Sequence, residues 1–194
     1  MPELLVRIKK NRDGSAALTC VRADGSVTWQ RQTGHSGSFF PIHDLTHYAV
    51  ETTLGVRQGF FGLLAEGWDI SDTGGKGTRG PLPAEALAVE MVVGFLDAER
   101  AGGGEWSAAE FAEIIALHAA ARGTPPAERP PADMITDAHL AAVRSAMRAL
   151  FARWMDVEPG DTLELPFDRP GPRAPRAPQS QHATGRGVAG ARAL

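Results

Sequence analysis

The chain has 194 residues, 43% hydrophobic and 22% charged, the usage of an ordinary globular domain and not of a fibre or a wholly disordered chain. Its single cysteine, Cys20, excludes an internal disulfide, and no run approaches the roughly 20 apolar residues of a spanning helix, so a cytoplasmic protein with no membrane association is expected. The net charge of −3 hides an asymmetry: five Arg and no acid follow Asp168, leaving 15 basic against 23 acidic residues before them, a net −8. Such a body lacks the clustered Lys and Arg that phosphate backbones require and is expected to bind no nucleic acid.

From Leu4 to Gln32 the alternation predicts three antiparallel strands, Leu4 to Lys9, Ser15 to Arg22 and Val27 to Gln32. Asp13-Gly14 and Asp24-Gly25, eleven residues apart, supply the two tight turns, since Asp and Gly tolerate the positive φ of hairpin turns. Thr33 to Ser38 reads as a Gly/Ser loop, followed by a helix from about Ile42 to Leu54 and a short apolar helix from about Gln58 to Glu66, each stopped by a Gly. Ser71 to Pro83, rich in Gly and carrying Lys76 and Arg79, is expected to be a mobile surface loop.

Three more helices follow. One, about Pro83 to Glu99, is apolar nearly all round and belongs in the core. The next opens at Ser107 with Glu110 placed as a capping box, and the last opens at Thr136 with Ile135 and Leu140 as a hydrophobic staple. A Pro-rich connector from Pro125 to Pro131 separates them. The alternation of Leu163, Leu165 and Phe167 predicts a final strand, 162 to 167, returning to the first three. The fold class is therefore α+β: an N-terminal three-stranded antiparallel meander plus a C-terminal strand, packed on about five helices. One domain is expected over 1–168, with 169–194, a Pro/Ala/Arg/Gly-rich basic tail, too poor in apolar side chains to offset its ordering entropy.

The sharpest chemical pattern is His43, His47 and Glu51. Residues four apart advance about 40° around a helix of 3.6 residues per turn, so the three share one stripe. Two imidazoles one turn apart can chelate a divalent ion, Zn²⁺ by ligand type, and the carboxylate a turn further on can ligate it or orient His47. The pair departs from that of zinc proteases, whose motif has Glu beside the first His where this chain has Asp44. Glu66, in an otherwise apolar stretch, is the candidate general base, and Glu90 in the apolar helix raises the same question. Were the stripe a site, Lys76 or Arg79 could serve an anionic substrate from the loop above it. Cys20 reads as a small core or edge residue.

The expectation is a small protein binding a divalent metal through His43, His47 and Glu51 and hydrolysing a small polar substrate. The rival is a non-enzymatic interaction or regulatory protein, whose partner is another protein and in which the same residues form a buried hydrogen-bond network.

Overall fold

A computed structural model describes residues 2–74 and 79–171. Strands β1 (Leu4–Lys10), β2 (Ala16–Arg22), β3 (Val27–Gln32) and β4 (Thr162–Phe167) form one antiparallel sheet in the order β3-β2-β1-β4. Both hairpin turns fall where the sequence places them, but only Gly14 and Gly25 take positive φ; Asp13 and Asp24 do not, and serve instead by accepting hydrogen bonds from the amides of Ser15 and Ser26. The register sets Val6 between Cys20 and Leu165, and Ile8 between Leu18 and Leu163. Those residues are buried under the helices, each apolar side chain worth about 1.5–3 kcal/mol against its exposed state. The opposite face carries polar pairs such as Arg7 with Glu164.

Five helices pack with the sheet, α1 and α2 directly against it: α1 (His35–Leu54), α2 (Phe60–Ala65), α3 (Ala84–Gly102), α4 (Ala108–Arg122) and α5 (Asp137–Met155). The capping box at Ser107 and the Thr136 cap form as expected. Helix α1 is the central element, packed on α2, α3, α5 and the sheet. It begins seven residues earlier than the sequence suggests, with Pro41 inside it. Proline lacks an N–H and crowds the carbonyl four residues back, so it reads as a helix start. Here that residue is Gly37, itself held where a Cβ would lie 2.9 Å from the Gln32 carbonyl. The predicted Gly/Ser loop is therefore mostly a first helical turn pressed against the meander.

Two boundaries are corrected. Arg169, assigned to the tail, belongs to the body, since its guanidinium binds Glu3 at 2.7 Å and Glu66 at 2.8 Å. Next to it, Arg57 donates to the Pro170 carbonyl. The predicted loop from Ser71 begins in a tight turn, Ile70–Asp72, pinned by Ile70 N–H donating to Thr28 Oγ1. Lys76 and the tail beyond residue 171 lie outside the described residues.

Candidate metal centre

Helix α1 aims His43 and His47 at α3, which carries Glu90 and Asp97. Those two acids are seven residues apart, within about 20° of two full turns, so α3 presents both to α1 on one stripe. His47 Nε2 lies 3.1 Å from Glu90 Oε2 and His43 Nε2 lies 3.9 Å from Glu90 Oε1. One donor atom from each of the three residues fits within 4.8 Å of the others. Two ligands at about 2.0–2.2 Å on a tetrahedral ion stand about 3.4 Å apart, between the two measured approaches to Glu90. His43, His47 and Glu90 can therefore hold one ion with small movements of side chains.

The far side of each imidazole faces a second carboxylate. His43 Nδ1 is 2.8 Å from Asp97 Oδ2, and Asp97 Oδ1 lies near Thr46 Oγ1 and Arg100. Burial opposes the Asp97 charge, and the His43 contact with those neighbours outweighs it, keeping its carboxyl below the usual range. His47 Nδ1 is 3.4 Å from Glu51 Oε1. That approach lies off the angle of a hydrogen bond, so among the described residues the ring nitrogen is buried without a partner and the two groups interact through charge. Burial pushes the His47 ring toward neutrality; the Glu51 and Glu90 carboxylates outweigh it and raise its pKa to about 10. The same contact holds the Glu90 carboxyl below its ordinary value. A cation entering the site must displace the proton of His47.

Glu51 stands behind His47 and not among the three converging groups. Its carboxylate is fully buried and accepts from the amides of Phe61 at 3.2 Å and Gly62 at 3.0 Å, closing the start of α2. Of the two roles the sequence allows it, this geometry fits the orienting one. Glu66 does not join the stripe: its carboxylate is held by Arg169 and by Gln58 Nε2 at 3.3 Å, outside the cavity over the histidines. Arg79 rests 5.7 Å from the centre of the Trp68 ring and does not line that cavity either.

No family model, curated protein or solved structure matches this chain. The reading of the site therefore stands on its own chemistry. A cavity of about 480 Å³ opens over His43, His47 and Glu90, walled by Phe40, Phe60, Leu63 and Leu82 and by the polar groups of Gln30, Ser71 and Thr73. Asp44, beside His43, also lines it, almost wholly buried, with Oδ2 accepting from Gln32 Nε2 at 2.9 Å. Burial raises its pKa to about 6, against the opposing Gln32 hydrogen bond.

Sequence reasoning missed Asp97 altogether. Its signal is there: Glu90 and Asp97 are two acids at a two-turn spacing on an apolar helix, the same kind of stripe that singled out His43 and His47.

Proposed function

We propose that the chain binds one divalent ion, Zn²⁺ by ligand type, through His43 Nε2, His47 Nε2 and Glu90, and uses it to hydrolyse a small substrate in the adjoining cavity. One observation carries the reading: both imidazoles turn Nε2 toward the shared Glu90 and Nδ1 toward a separate buried carboxylate, Asp97 for His43 and Glu51 for His47. For His43, whose Nδ1 is hydrogen-bonded to Asp97, that is the arrangement in which a metal-bound His has its tautomer and orientation set by an acid behind it; Glu51 faces the His47 ring at 3.4 Å without that bond. Three protein ligands would leave a fourth position for water, as hydrolytic zinc sites do, and all three residues line the cavity. Held by His43, His47 and Glu90, such an ion would supply Lewis acidity and an activated water for hydrolysis.

The rival network reading is favoured by the His47 to Glu90 contact, which is already of hydrogen-bond length at 3.1 Å. Protein purified without a polyhistidine tag, analysed for metal and titrated with Zn²⁺ and Mn²⁺ in a calorimeter, separates the two. The metal reading expects one ion per chain, lost in His47→Ala. Wild-type protein that neither contains nor takes up an ion leaves only the network.

A further inference from the structure

Asp44 is a carboxylate buried in a cavity wall with no Lys or Arg paired to it among the described residues. Taking a charge out of water is costly unless an opposite charge replaces the lost hydration. Four acids surround the histidines: Asp44 and Glu90 on the wall, Asp97 and Glu51 behind it. Arg100 offsets Asp97, and the proton of His47, or a divalent ion in its place, offsets one or two of the other three, so at least one negative charge remains. Asp44, facing the cavity and not among the converging ligands, is the group left to hold it. Phe40 and Phe60 line the same space, and an aromatic face attracts a cation and repels an anion.

We infer that the substrate of this site carries a cationic nitrogen group, an ammonium, amidinium or guanidinium, on an apolar body, with Asp44 as its counter-charge. The body packs on Phe60 and Leu63, and the N–H donors take the carboxylate oxygen that Gln32 leaves free. This deepens the proposed metal function and rests on it for the reaction. The sign of the charge left on the walls is the same with or without the ion.

Three compounds of nearly one shape isolate charge: benzamidine as its cation, benzamide, and benzoate. Calorimetry on the full chain at neutral pH, with and without one equivalent of Zn²⁺, is expected to show benzamidinium binding about tenfold or more tighter than benzamide, the worth of one charged hydrogen-bonded contact, with benzoate weakest. Asp44→Asn, which keeps the acceptor for Gln32, should erase the preference for benzamidinium over benzamide while Zn²⁺ stoichiometry stays at that of the wild type. Benzoate as the tightest ligand, no benzamidinium binding, or an undiminished preference in folded Asp44→Asn each overturns the inference. Should that variant fail to fold, the wild-type order of the three compounds decides. Zn²⁺ uptake with benzoate preferred sinks this inference and spares the metal site; the benzamidinium preference without Zn²⁺ uptake does the reverse.

Discussion

Glu51 and Gly59 share a space with no room for one more carbon: a Cβ on residue 59 would lie 2.4 Å from Glu51 Cδ. The carboxylate cannot retreat, because it holds the amides of Phe61 and Gly62 on one side and faces His47 on the other. The backbone of Gly59, at φ −76°, is open to any residue, so the requirement is steric.

Gly59→Ala should therefore destabilise the fold by about 1–3 kcal/mol, the usual cost of overpacking. It should also weaken metal binding by displacing the carboxylate behind His47. The urea midpoint and a Zn²⁺ titration of the same preparation measure both. A variant that melts like its parent would mean that Glu51 is free to move.

Asp97→Asn keeps the shape of the group behind His43 and removes its charge. The expected result is one ion per chain at about 10- to 100-fold lower affinity, as for loss of an orienting partner, whereas Glu90→Gln, which removes a ligand, should cost more. Equal affinities for wild type and Asp97→Asn would take Asp97 out of the site.

Leu165 sits opposite Val6 on the buried face of β4. Leu165→Asp places an unpaired charge there and should abolish a cooperative transition or cost more than about 4 kcal/mol. Its neighbour Glu164, exposed and paired with Arg7 on the open face, should tolerate Ala within about 1 kcal/mol. Similar denaturant midpoints for the two variants would refute the register.

Burial pushes the Cys20 thiol well above its ordinary value near 9. Above pH 9 the unfolded chain releases that proton and the folded one keeps it, so the contribution of Cys20 to stability is intact below pH 9 and falls as pH rises. By pH 10 the loss is about 1.4 kcal/mol. Comparing wild type with Cys20→Ala from pH 7 to 10 isolates it, since only the wild type should show the added decline. Native protein should also resist thiol reagents, and rapid labelling at pH 8 would contradict the burial.

Chain ended after residue 171 keeps Arg169 and its pairs with Glu3 and Glu66; chain ended after 168 loses them. The groups are partly exposed, so screening limits the difference to about 1 kcal/mol in a thermal melt.

The elements whose periodicity and caps agree were legible in the sequence: the meander with its two Asp-Gly turns, the Ser107 and Thr136 helix starts, and β4 to the residue. Helix α1 was misread at its start because Gly, Ser and Pro are local breakers, and only the close approach of Gly37 to the Gln32 carbonyl reveals why a glycine stands there. Half the site could be read, since His43 and His47 lie on one helix. Glu90 and Asp97 meet them only through the packing of α3 on α1, which no local pattern encodes. Glu66 misled because Arg169, its partner, is more than a hundred residues away.

The pairing of β1 with β4 joins segments separated by more than 150 residues. Until β4 docks, β1 is the border of a three-stranded sheet, with unpaired backbone groups and Leu4, Val6 and Ile8 lacking part of their cover. A strand made more than 150 residues after the first thus seals it. An incomplete chain presents a sticky edge throughout its synthesis, and the slow search for so distant a partner sets the interval in which a nascent chain is exposed to self-association.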